Sequence, residues 1–166
     1  MDHLALATLA YFRDDERYLN GQVIDWKDVD YRVMWFVAAL RRELDAPITL
    51  IRGNHGWQGT AVDWCCPGVS YKKVAMAVMR LPELSWGLYS GASVHMDRRP
   101  STDLPARWLA VKATERGVLK DEGLEDLIMA EKDGWLYLLW RHEKSLDALA
   151  LVVTLAEGKR RLSEDV

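Results

Sequence analysis

The chain lacks a cysteine framework. Its two cysteines, Cys65 and Cys66, are adjacent. Neighbouring cysteines rarely pair with each other, because the ring they would close is strained. There is neither a disulfide scaffold nor a Cys-x-x-Cys metal knuckle. Two buried thiols in a strand is the plain reading, and an intermolecular disulfide the other. Long apolar runs are also missing; none approaches the roughly 18–20 residues that span a bilayer. Positive charge is not in excess: 22 Lys and Arg stand against 25 Asp and Glu, for a net charge of -3. A protein that grips nucleic acid by its phosphates is normally basic, so nucleic acid is not an expected partner. The opening Met1-Asp2-His3-Leu4-Ala5 has no basic n-region and soon meets Arg13-Asp14-Asp15-Glu16. It reads as no signal peptide. Phenylalanine is scarce, at 2, whereas tryptophan is abundant, at 8 in 166 residues. Those indoles need burial or a ring to stack on.

What is present reads as one domain with an appendage, of mixed α+β class. Val29, Val33, Phe36, Val37, Leu40 and Leu44 recur at helical spacing. They predict a helix over 28–44, capped by Asp25 or Asp28 and stopped before Pro47. Strands are expected at 48–51 and 60–64. A helix capped by Ser70 follows and ends at Pro82. Two short strands at 86–89 and 93–97 flank Ser90-Gly91. The sheet is expected to be small and antiparallel, with helices packed on it. Residues 98–105 read as a linker. The division is then a domain over 1–108 and a helical or hairpin extension over 109–166. In the extension, 121–132 reads as a helix and 134–140 as a strand. Residues 146–155 fit either: Val152-Val153-Thr154 favours strand, while Leu146, Leu149 and Val153 fit a helix face.

Of four histidines, His3 and His142 read as solvated. His55 and His95 each stand at a strand edge with a carboxylate near, in His55-Gly56-Trp57-Gln58-Gly59-Thr60-Ala61-Val62-Asp63 and Val94-His95-Met96-Asp97. Two imidazoles and a carboxylate can bind zinc and leave one position open. Bound zinc acidifies water and polarises a carbonyl, and a further carboxylate moves protons. Two structural histidines with ordinary hydrogen bonds are the competing reading.

The order of segments resembles the zinc D-alanyl-D-alanine carboxypeptidase and phage endopeptidase family, of the hedgehog/DD-peptidase fold. The resemblance rests on Tyr11-Phe12-Arg13-Asp14-Asp15-Glu16, Leu40-Arg41-Arg42-Glu43-Leu44 and Pro47-Ile48-Thr49-Leu50. It continues through Gly59, Ala61 and Asp63 of a His-x-x-Gly-x-Ala-x-Asp motif, and through Pro67-Gly68-Val69-Ser70. It ends with Gly87-Leu88-Tyr89, Val94-His95-Met96-Asp97-Arg98-Arg99 and Arg107-Trp108, so it spans roughly 10–108.

The resemblance implies His55, Asp63 and His95 as zinc ligands, Asp97 as catalytic base or as a support for the metal site, and Arg52 as a partial substrate-binding substitute. The first ligand motif is degenerate. The family's histidine stands seven residues before the aspartate, where this chain has Gly56; His55 is eight before Asp63. Zinc is retained if the turn carries one extra residue, and lost if it does not. The family's longer loop before this histidine is cut to Ile51-Arg52-Gly53-Asn54. These departures favour a phage- or prophage-type protein that keeps the fold as a catalytically degenerate virion or assembly component. The alternative is an active zinc peptidase cleaving peptidoglycan stem peptides. The expected place is the host cytoplasm when made, then the virion. In the extension, Trp135, Tyr137 and Trp140 are expected either at an interface with other virion proteins or a second copy, or packed over one side of the first domain.

Overall fold

A computed structural model describes residues 18–19, 22–23, 31–55, 61–81, 83–98, 106–141 and 143–164, and for 18–19, 22–23, Tyr31, 52–55 and 159–164 the backbone alone. The acidic segment 11–16, the 98–105 linker beyond Arg98, His3 and His142 therefore lie outside the described residues. The class is α+β: among the described residues there are four helices and a seven-stranded, mostly antiparallel open sheet, larger than the small sheet expected. A two-stranded ribbon pairs β1 (Tyr18–Leu19) with β2 (Gln22–Val23). The chain divides into two compact units, one of 1–86 with 93–106, the other of 87–92 with 107–166.

In the first unit, α1 (Tyr31–Leu44) carries the predicted apolar face: Val33, Val37, Leu40 and Leu44 are buried. Trp35 points outward, 53% exposed. Asp45 leaves the helix with φ 48, a conformation that Asp tolerates better than most residues. Next come β3 (Thr49–His55) and β4 (Ala61–Cys65), paired antiparallel with register shifts on both sides of Arg52. Cys65 ends β4 half-buried; Cys66 is buried, and its thiol donates to the Pro47 carbonyl at 3.4 Å. The next helix, α2 (Tyr71–Met79), is capped as expected: the Ser70 hydroxyl accepts from the Lys73 N–H at 3.3 Å. It lies against α1, where Arg80 pairs with Glu43 at 2.6 Å.

The division of the chain falls on β5 (Ser85–Tyr89), after Trp86. In the first unit, β6 (Val94–Asp97) pairs antiparallel with β4, as Val62 with Met96, Asp63 with His95 and Trp64 with Val94. Val62, Trp64, Val94 and Met96 are fully buried, and the Trp64 Nε1–H donates to Met96 Sδ at 3.1 Å. Alternation along a strand sends every second side chain to the other face. The burial of this row therefore leaves Asp63 and His95 together on the opposite face.

In the second unit, β7 (Arg107–Lys112) pairs with β9 (Trp135–Leu139), and β9 with β8 (Ile128–Lys132), all antiparallel. The expected helix over 121–132 is not formed. A short α3 (Arg116–Asp121) and one tight turn at 125–127 lead into β8 instead. The reason is Asp133-Gly134: both have positive φ, 54 and 82, which makes the two-residue turn of a hairpin. Residues 146–155 resolve as helix, within α4 (Lys144–Glu164), which packs on β7. Ala148, Val152 and Ala156 recur every fourth residue and are buried. Thr154 overcomes its β-branched preference by donating its hydroxyl to the Ala150 carbonyl at 2.8 Å. The buried Ser145 hydroxyl accepts from the Arg141 N–H at the entrance of this helix.

Candidate functional site

The site is built by strand register. Asp63 and His95 are direct partners on β4 and β6, and Asp97 follows His95 by two residues, on the same face of β6. His95 Nδ1 lies 2.8 Å from Asp63 Oδ1, and its Nε2 lies 2.9 Å from Asp97 Oδ2. The imidazole is thus clamped at both nitrogens. Exposure is graded across the three: 26% for the Asp63 side chain, 13% for His95 and 1% for Asp97.

Ionised carboxylates only accept hydrogen bonds, so each nitrogen that faces one is drawn to donate. A neutral imidazole has a single N–H and serves one side; the imidazolium serves both. Burial opposes the charged ring. The hydrogen bonds and negative charge of Asp63 and Asp97 outweigh it and raise the His95 pKa above the ordinary histidine value.

Two of the three expected metal ligands, Asp63 and His95, are therefore brought together. His55 is the register partner of Ala61, and Arg52 of Asp63, on β3. The side chains of both lie outside the described residues. Asp97 also joins the cluster, its carboxylate buried and directed at the ring. Among the described residues, no group of three His, Cys, Asp or Glu side chains is arranged to hold a metal. The geometry explains this: the imidazole stands between the two carboxylates, so the three do not converge on one point.

Zinc takes imidazole nitrogen and carboxylate oxygen, the donor types that His95 and Asp63 carry, but in this structure the two are hydrogen-bonded to each other. An imidazole bound to metal through one nitrogen characteristically gives the N–H of the other to a carboxylate, and Asp97 stands in that position.

The second unit holds the aromatic residues expected at an interface. Trp135, Tyr137 and Trp140 are half-buried. Tyr89 joins them, a residue that belongs to the Gly87-Leu88-Tyr89 segment of the resemblance and is not among the aromatics expected at an interface. Its ring meets Trp135 edge-on at 5.1 Å and Tyr137 at 6.3 Å, and its hydroxyl accepts from Trp108 Nε1–H at 3.3 Å. Lys112 Nζ sits 4.1 Å over the Trp135 ring. The missed signal is Gly87, two residues before Tyr89. A Cβ there would fall 2.4 Å from the Trp108 indole, so the bare backbone is what admits that ring.

Comparison of the chain with known protein families, curated proteins and solved structures yields no match. Among the described residues, no helix is long and apolar enough to cross a membrane.

Proposed function

We propose that the first unit is a zinc DD-peptidase-like module whose centre holds metal for structure rather than for turnover, within a phage- or prophage-type assembly component. One observation carries the reading. Asp97, the base candidate, is 1% exposed and its Oδ2 is spent on His95 Nε2. A general base must reach the proton it removes, directly or through one water. Asp97 instead does the work of a supporting carboxylate. Asp63 and His95 would hold zinc on the more exposed side, with His55 as the third donor that the resemblance supplies. When bound, zinc would supply Lewis acidity and an acidified water. The protein's residues would hold and orient the ligands.

The experiment is elemental analysis of the purified protein, joined to an assay on peptidoglycan and on synthetic stem peptides. The expected result is zinc bound near one equivalent and no hydrolysis. Zinc-dependent hydrolysis that Asp97→Asn lowers by about 10²-fold or more would replace this reading with an active peptidase. That second reading draws on the convergence of Asp63 Oδ1 with His95 Nδ1 beside the register positions of Arg52 and His55, where a peptide carboxylate and a metal would meet.

A further inference from the structure

Two exposed surfaces of the chain carry opposite charge around an exposed methionine. On α2, Lys72, Lys73, Met76 and Arg80 are exposed and follow one another at three- and four-residue spacing, on one stripe of the helix. Residues 70–80 include no acid. Arg80 pairs with Glu43 of α1, whereas among the described residues Lys72 and Lys73 form no ion pair. Met76 has bases about one helical turn to each side. In the second unit, residues 121–133 hold six acids against one lysine, and all six acids are exposed. Asp126 pairs with Lys144 and Glu131 with Arg116. Among the described residues Asp121, Glu122, Glu125 and Asp133 form no ion pair. Met129 is exposed on β8, the outermost strand of the sheet, with Glu125 and Asp126 in the turn before it and Glu131 two residues after.

We infer that the α2 stripe of one copy docks on the 121–133 surface of a second copy, Met76 against Met129, with charges of opposite sign around them. The inference rests on the assembly part of the reading above and adds the partner and the two surfaces that meet. Charge complementarity selects the partner. The chain as a whole is acidic, at -3, so the basic stripe is a local exception, and its acidic counterpart is present on every other copy. The acidic surface also adjoins the aromatic strand, because Lys132 is the register partner of Trp135. Single exposed ion pairs contribute little, so the contact depends on several charges acting together over desolvated methionines, and salt weakens it. The two surfaces are unlike. The contact is therefore head-to-tail, and it builds a ring or a filament rather than a two-fold dimer.

The test is sedimentation equilibrium of the full chain over a concentration series, at low and at high salt. The expected mass exceeds the 19.0 kDa of one chain at low salt, rises with concentration and falls back as salt screens the contact. Lys72→Glu/Lys73→Glu and Glu122→Lys/Glu125→Lys should each weaken association by about 10-fold or more. An equimolar mixture of the two variants should associate again. The reversed stripe of one then meets the reversed acidic surface of the other, and the two unreversed surfaces still match. Restoration in the mixture also shows that both variants are folded. Wild-type association that neither reversal weakens would overturn the inference and leave the assembly reading standing, as would a mixture of folded variants that stays dissociated. A monomeric wild type that binds vesicles of anionic phospholipid through Lys72 and Lys73 would put a bilayer in place of the second copy. A wild type that is monomeric at every concentration and binds no vesicle would remove this inference together with the assembly reading.

Discussion

His95 is the residue on which most of the chemistry turns, and its charge makes the fold sensitive to pH. Its pKa is raised in the folded chain, so the folded state holds its proton more tightly than the unfolded state does. The stabilisation is fully present below the ordinary imidazole value, about 6.5, and is lost as pH rises through the raised folded value. The midpoint of urea unfolding of the metal-free protein is therefore expected to fall from neutral into mildly alkaline pH. In His95→Gln that part of the slope should vanish; an identical slope in the variant would show that another group is responsible. The resemblance grouped His55, Asp63 and His95 with Asp97, and the period of two in β6 is enough to put Asp97 on the face of His95. It did not tell a buried supporting carboxylate from a base open to water. Burial depends on what covers a face, and that is not written in local spacing. His55 shows the same limit from another side. Counting residues back from Asp63 presumes an even ladder, while β3 shifts register twice between Leu50 and His55.

Elements were legible where a single periodicity ruled and misread where a turn overruled it. The α1 helix follows from Val33, Val37, Leu40 and Leu44, and α2 from its Ser70 cap. Residues 121–132 looked helical from composition, and Asp133-Gly134 turned their second half into a hairpin arm. Local propensity is a weak prior against a turn that fixes two positive φ angles. Backbone geometry also yields two stability predictions. Gly87 admits the Trp108 indole, and Gly87→Ala would set a methyl 2.4 Å from it. Overpacking of this kind costs about 1–3 kcal/mol, and the loss should appear in the denaturant midpoint together with altered tryptophan fluorescence. Ala92, by contrast, sits at φ 68 in the turn after β5, where its N–H donates to the Tyr89 carbonyl at 3.0 Å. Ala92→Gly should relieve left-handed strain and raise stability by up to about 1 kcal/mol, unless the turn adjusts at no cost. An unchanged midpoint in Ala92→Gly would show that adjustment.

Among the described residues few large apolar side chains are exposed, but each unit has some. Trp35 and Met76 are 53% and 48% exposed on α1 and α2 of the first unit, and Met129 and Leu146 are 51% and 57% exposed in the second. Single exposed apolar residues are ordinary on a monomer, so they decide nothing individually. The aromatic residues assigned to an interface carry more weight, and the fold changes how they must be tested. Trp135 packs on Tyr89 and under Lys112, so Trp135→Ala removes an internal contact as well as any contact with a partner. A change in assembly after that substitution would confound instability with lost association. Size in solution and thermal stability therefore have to be read together, across a concentration series, for the wild type, Tyr89→Leu and Trp135→Ala/Trp140→Ala. If the chain is an assembly component, the wild type should exceed the 19.0 kDa of one chain. Tyr89→Leu, which loosens the internal ring cluster, should melt earlier yet still associate. The double variant should melt earlier and also fall to monomer. A stable interface buries upwards of about 1,000 Å² in total, and loss of two central indoles from it should cost several kcal/mol of association. A wild type that stays monomeric at every concentration, with the variants differing only in melting temperature, would confine Trp135, Tyr137 and Trp140 to the packing of their own unit and remove the assembly role.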